Sequence, residues 1–155
     1  MELKDFIISK GLDASLADKF AEMMKLALEW NEKINITAIK TPEDFINKNI
    51  IDSLTLLGRP ELASAERVMD LGTGGGYPGL PLALANPDKQ FVLMDSVGKK
   101  LTVVSAIASD LPNQKLKLPR ITATAVIINP PVITNNVNNK NLLIVNPYII
   151  NIIYK

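Results

Sequence analysis

The residues best placed to do chemistry lie in one short stretch, Asp70-Leu71-Gly72-Thr73-Gly74-Gly75-Gly76-Tyr77-Pro78-Gly79, with a second acid, Asp95, 23 residues after Gly72. Clustered glycines let the backbone take positive φ and let a ligand come close to the main chain. An acid at the end of the following strand can accept both ribose hydroxyls of an adenosine cofactor. A P-loop requires Lys followed by Ser or Thr after its glycines, and none follows here. The dinucleotide pattern G-x-G-x-x-G needs glycine where Tyr77 stands. An acid just before the glycines, Asp70, suits S-adenosylmethionine, whose α-ammonium a strand-end carboxylate can orient directly or through water. The loop glycines Gly72, Gly74 and Gly76 and the acids Asp70 and Asp95 are therefore the expected cofactor-binding residues. The plainer alternative is a glycine-rich structural turn. The strand before the loop, the helix after it and the acid downstream favour the cofactor.

Those residues need particular elements around them. Arg67-Val68-Met69-Asp70-Leu71 reads as a short buried strand and Phe91-Val92-Leu93-Met94 as a second one ending at Asp95. Between them the apolar stretch Leu80–Ala85, opened by Pro78 and Pro81 and closed by Pro87, reads as a helix. Ser96 is expected to cap a further helix through Lys99, Leu101, Val104, Ile107 and Leu111, stopped by Pro112. Strand, glycine turn, helix, strand and helix form a right-handed βαβα unit. Ahead of it, Leu16, Phe20, Met23, Met24, Ala27, Leu28 and Ile34 recur at helical spacing and predict a helix from about Ser15 to Ile34. Thr41-Pro42-Glu43-Asp44 starts another, with Phe45, Ile46, Ile50, Leu54 and Leu57 as its buried stripe and Gly58-Arg59-Pro60 as its end. The expected class is α/β: N-terminal helices (1–60), then the start of a doubly wound, mostly parallel, Rossmann-like sheet (66–111).

Composition excludes more than it selects. The chain has 155 residues, 47% of them apolar and 21% charged, which is globular and enough for one domain. It has no Cys, so no disulfide, thiol nucleophile or thiolate metal site is available. It has no His, which removes imidazole base chemistry, Ser-His-Asp hydrolysis and most zinc enzymes. No metal is expected. Met1–Lys10 alternates charged and apolar residues unlike a signal peptide, and no apolar run nears the roughly 20 residues of a membrane span, so a cytoplasmic protein without membrane contact is expected.

Four stretches in order give the front of the chain a resemblance. They are Glu29-Trp30-Asn31-Glu32-Lys33-Ile34-Asn35-Ile36-Thr37, Ile51-Asp52-Ser53-Leu54, the glycine loop from Asp70 to Pro81, and Leu93-Met94-Asp95-Ser96-Val97-Gly98-Lys99-Lys100. Over about residues 1–111 the chain resembles the RsmG family, also called glucose-inhibited division protein B. Members are S-adenosylmethionine-dependent methyltransferases of a guanine N7 in 16S ribosomal RNA. The resemblance implies that Gly72 and Tyr77 contact the cofactor and that Asp95, Ser96 and Val97 hold its adenosine side. It implies a helical cap packed on the sheet, and 16S ribosomal RNA or the small ribosomal subunit as partner; a monomer is expected. Asn35 and Thr37 either cap a helix end or touch RNA. Lys99 and Lys100 meet RNA phosphate or form a solvated helix face. Trp30 is expected in the core. N7 presents an in-plane lone pair and loses no proton before attack, so such chemistry suits a chain without His or Cys; no catalytic residue is singled out.

The chain departs from the family in two places. Asn49 stands where the family usually has His. Beyond Leu111 no Arg-Ala-Glu-like segment follows; Arg120 precedes Ile121-Thr122, and nothing is carried onto it. Residues 111–155 contain no Asp, Glu or Gly, and 113–155 hold nine Asn and nine Ile. Residues 1–110 carry 12 basic and 16 acidic residues and 111–155 five basic and none acidic, so the overall +1 sums two unlike pieces. That is what an out-of-frame AT-rich gene would encode, and a frameshifted or otherwise non-homologous ending is expected, with a sheet left incomplete, weak or absent cofactor binding and an inactive chain; the alternative is a genuine but divergent tail. Within 112–155, Ala125–Ile128 and Leu142–Val145 are candidate strands. Asn129-Pro130-Pro131 resembles the loop of amino-directed methyltransferases, without the aromatic that should follow. Two other functions thus stand beside the first: an amino-directed N-methyltransferase using Asn129, and a non-catalytic ribosome-associated cofactor-binding module.

Overall fold

A computed structural model describes residues 2–111 and, as backbone only, three strands beyond them: Ala125–Ile128, Leu142–Val145 and Ile153–Tyr154. Asn129-Pro130-Pro131 lies outside the described residues.

The chain begins with α1 (Leu3–Ser9), which the alternating sequence concealed, and α2 (Leu16–Ile34). In α2 the apolar spacing places Leu16, Phe20, Met23 and Ala27 in the core, and Asn31 extends the same stripe by one more turn. Trp30 is only half-buried, and the Lys33 ammonium lies 5.3 Å from its ring centre. Ser15 makes no side-chain cap; Asp13 Oδ1 accepts the Ser15 N–H instead, at 2.8 Å.

Residues 42–58 form the second helical stretch, as the Thr41-Pro42 start predicts. Thr41 Oγ1 accepts the Asp44 N–H at 3.2 Å, and Pro42 occupies the first turn. The stretch is not uniform. It runs through α3 (Pro42–Phe45), a π-helical turn (Ile46–Ile51), α4 (Asp52–Leu54) and a 3-10 turn (Thr55–Gly58). Phe45, Asn49 and Ser53 are all buried on it, and Ser53 Oγ donates to the Asn49 carbonyl. The short α5 (Pro60–Ser64) leads into the sheet.

The sheet has five strands in the order β3-β2-β1-β4-β5, with β1 Arg67–Leu71, β2 Gln90–Met94, β3 Ala125–Ile128, β4 Leu142–Val145 and β5 Ile153–Tyr154. Between β1 and β2 lies α6 (Gly79–Ala85), and α7 (Gly98–Asp110) follows β2. β1 is parallel to β2 and to β4, so the βαβα unit forms as expected. The sheet as a whole is not mostly parallel: β3 runs antiparallel to β2, and β5 antiparallel to β4. The helix α7 lies between β2 and β3, as in a parallel crossover, yet β3 returns antiparallel, so the order of the elements along the chain does not set the direction of this strand. Ala125 pairs with Met94 and Val145 with Asp70, so β3 begins, and β4 finishes, at the end of the sheet where the two acids sit.

Strand alternation turns Val68 and Asp70 of β1, and Phe91 and Leu93 of β2, to a buried face. Leu80, Leu82 and Leu84 of α6 and Leu101, Val104 and Ile107 of α7 complete the core with Phe20, Met23, Phe45, Ile50 and Leu54. The helical cap is thereby part of one core with the sheet.

Candidate cofactor site

The glycine loop leaves β1 at the C-terminal end of the sheet, beside the end of β2. The N–H groups of Gly72 and Thr73 both donate to the Met94 carbonyl, at 2.8 and 2.9 Å, which ties the start of the loop to the neighbouring strand. Gly72, Gly74 and Gly76 have φ of +80°, +60° and +101°. A β-carbon on Gly72 or Gly74 would meet nothing within 4 Å, so this side of the loop is open. A β-carbon on Gly76 would collide with Leu80, so that side is closed.

The two acids differ in exposure and in the loop groups they hold. Asp95 is half-exposed at the end of β2. Its Oδ2 accepts the Gly74 N–H at 2.9 Å and its Oδ1 accepts the Val97 N–H at 2.8 Å. Asp95 thus fixes both the loop and the entry to α7. Ser96, expected as the cap of α7, makes no such bond: the helix begins at Gly98, which puts Val97 at the cap position. Ser96 and Val97 are exposed, and Leu71 is exposed beside them.

Asp70 has no exposed surface. Its Oδ2 accepts the Thr73 hydroxyl at 2.7 Å and the Gly79 N–H at 2.8 Å. Its Oδ1 is buried without a partner among the described residues. Burial pushes the carboxyl up to about 6, against the lowering effect of the Thr73 and Gly79 hydrogen bonds, and the nearby Asp95 charge adds to the rise.

Tyr77 reaches from the loop into the cap. Its ring meets Phe45 edge-on, with centroids 5.4 Å apart and planes at 90°. Its hydroxyl oxygen is enclosed without a partner among the described residues, and burial raises its pKa. Asn49, at the position where the family usually carries His, is buried with its amide nitrogen likewise unpartnered among the described residues.

The expected RNA residues do not form one group. Lys99 and Lys100 start α7 just after Val97, with Lys99 exposed. Asn35 and Thr37 belong to a different cluster, organised by Asn31. The Asn31 amide donates to the carbonyls of Thr37 (3.0 Å) and Ile39 (3.3 Å) and accepts the Thr37 N–H (2.9 Å). Asn35 ends α2 in the left-handed conformation, φ +48°. A cleft of about 470 Å³ runs along Leu28, Asn31, Glu32, Asn35 and Lys40.

Against this geometry, a family model described as GidB, rRNA small subunit methyltransferase G, matches residues 16–126. The chain belongs to this family. The match runs past Leu111 into β3. Among curated members, ribosomal RNA small subunit methyltransferase G of Myxococcus xanthus is 42% identical over 104 residues, covering 67% of this chain and 47% of the relative. The protein of the same name from Deinococcus deserti is 44% identical over 108 residues, covering 69% and 44%, and that from Clostridium beijerinckii 43% over 90 residues, covering 58% and 38%. The chain spans about half the length, or less, of the curated relatives it matches.

The residues present fit the adenosine cofactor the family implies. The open flank of Gly72 and Gly74, the half-exposed Asp95 and the exposed Leu71, Ser96 and Val97 lie together at the ends of adjacent parallel strands, where open α/β sheets bind ligands. Sequence reasoning missed Thr73, Gly79 and Asn31. Thr73 and Gly79 carry no signal until Asp70 is known to point inward. Asn31 had one, since it continues the spacing Phe20, Met23, Ala27 that was read only for apolar residues.

Proposed function

We propose that this chain carries the cofactor-holding part of an S-adenosylmethionine-dependent methyltransferase that modifies N7 of a guanine in 16S ribosomal RNA, in the cytoplasm and as a monomer. The observation that carries it is the bond between Asp95 and the Gly74 N–H, which joins the open glycine loop to the end of the neighbouring strand. Gly72, Gly74, Tyr77, Asp95, Ser96 and Val97 form the proposed cofactor surface, with Gly76 and Asp70 beneath it. Lys99 and Lys100 are proposed to meet RNA phosphate next to it, and Asn35 and Thr37 to meet RNA on the cap. Residues 1–60 serve as the cap, 66–111 as the cofactor unit and 112–155 as an ending of different character.

When bound, the cofactor supplies an electrophilic methyl group. The chain's own work is to bind, orient and exclude water. Asp95 has lone pairs left for ribose hydroxyls after its two backbone bonds. The open glycines admit the methionine portion close to the main chain. An attacking N7 already holds a free lone pair, so alignment replaces a base. Among the described residues no group of three or more His, Cys, Asp or Glu gathers, and no helix is long and apolar enough to cross a membrane.

Titration calorimetry with S-adenosylhomocysteine tests the proposal. Saturable, weak binding by the 155-residue chain is expected, with a loss of tenfold or more in Asp95→Ala. Binding equal in the two proteins refutes the assignment of the site. Incubation with small ribosomal subunits and labelled cofactor, followed by mapping of the modified atom, tests the reaction; label on an exocyclic nitrogen refutes the N7 assignment.

A further inference from the structure

We infer that Asp70 is a positioning residue that shapes the glycine loop from beneath and does not touch the cofactor. The inference rests on the cofactor reading given above and deepens it.

Strand alternation decides which way Asp70 points. Val68 and Asp70 share the buried face of β1, and Asp70 is wholly enclosed. Its Oδ2 holds Thr73 at the start of the turn and Gly79 at its end. One oxygen therefore fixes both ends of the segment that carries Gly74, Gly75, Gly76 and Tyr77. Hydrogen bonds to an ionised acceptor are shorter and stronger than neutral ones, which suits a clamp. The packing around it is tight. A β-carbon on Gly79 would lie 2.7 Å from Asp70 Oδ2 and 2.7 Å from Leu93 Cγ. The groups facing Asp70 are thus Thr73 of the loop, Gly79 of α6 and Leu93 of β2, with Asp95 the charged group that acts on it among the described residues. A ligand ammonium needs an accessible oxygen, and Asp70 is wholly enclosed, whereas Asp95 is half-exposed.

Two readouts test this on the full 155-residue chain. The first is amide hydrogen exchange without ligand. Asp70→Ala and Thr73→Val are expected to lose protection across residues 73–79 by tenfold or more, and Thr73→Ser and Asp70→Asn, which keep the hydroxyl and an acceptor oxygen, to retain it. Unchanged protection in both Asp70→Ala and Thr73→Val overturns the clamp; Thr73→Val decides the matter should Asp70→Ala fail to fold. The second is binding of two analogues, S-adenosylhomocysteine and methylthioadenosine, the latter lacking the amino-acid portion. A positioning residue weakens both by the same factor, within about threefold, in Thr73→Val, and in Asp70→Asn, which keeps the acceptor oxygen, leaves the ratio of the two affinities unchanged. A loss confined to S-adenosylhomocysteine in Asp70→Asn overturns the inference and makes Asp70 a direct ligand of the α-ammonium. If the unsubstituted chain binds neither analogue, the cofactor reading itself falls, and the exchange pattern alone decides the clamp.

Discussion

Gly79 donates its N–H to Asp70 Oδ2 at 2.8 Å, and a β-carbon on Gly79 would lie 2.7 Å from that same oxygen. The first residue of α6 is therefore seated directly on the inward-facing acid of β1. Gly79→Ala is expected to destabilise the fold by about 1–3 kcal/mol, because neither Asp70 nor Leu93 can retreat within a packed core. Urea denaturation checks it; an unchanged midpoint would mean that α6 slides without cost.

Asp70 also gives stability a pH dependence. Its carboxyl is raised from 3.8 to about 6 in the folded chain, so folding favours the protonated form. Its contribution is greatest below pH 3.8 and is lost as pH rises through about 6, a total of about 3 kcal/mol. Asp70→Asn removes this term. Denaturation at pH 4.5 and 7.5 is expected to show the variant gaining about 2 kcal/mol on the parent between the two values. A constant difference between the proteins would refute the perturbed acid.

Asn31 pairs with the backbone of Thr37 and Ile39 through three hydrogen bonds. Asn31→Ala is expected to cost about 2 kcal/mol, since it leaves partly buried backbone groups without partners. The loss is expected to be accompanied by faster amide exchange at Thr37. Full stability in Asn31→Ala would show that water replaces the side chain freely.

Tyr77→Phe is expected to leave the ligand-free chain as stable as the parent or about 1 kcal/mol more stable. The hydroxyl is enclosed without a partner among the described residues, whereas the ring keeps its edge-on contact with Phe45. A clear drop in thermal midpoint would reveal a hydrogen bond to the hydroxyl.

Much of the architecture was legible from local pattern. Helical spacing gave α2, the Thr41-Pro42 start gave the second helical stretch, and the two apolar runs flanking the glycines gave β1 and β2. The π-helical turn at Ile46–Ile51 was not legible, because apolar spacing does not distinguish one extra residue per turn from a regular helix. Nor was α1, whose seven residues are too few for a period to stand out.

By itself the sequence determined the residue types available: no His, no Cys, two acids and a glycine run between strand-like segments. These restrict the chemistry, since a side chain absent from the chain cannot act in it. The tertiary structure decided what each acid does. Asp70 and Asp95 end neighbouring parallel strands and look alike in sequence. Packing of α6 on the inward face of β1 encloses Asp70, whereas Asp95 stays half-exposed beside the open flank of Gly74. Burial depends on what lies across the sheet, and contacts between residues distant in the chain set that.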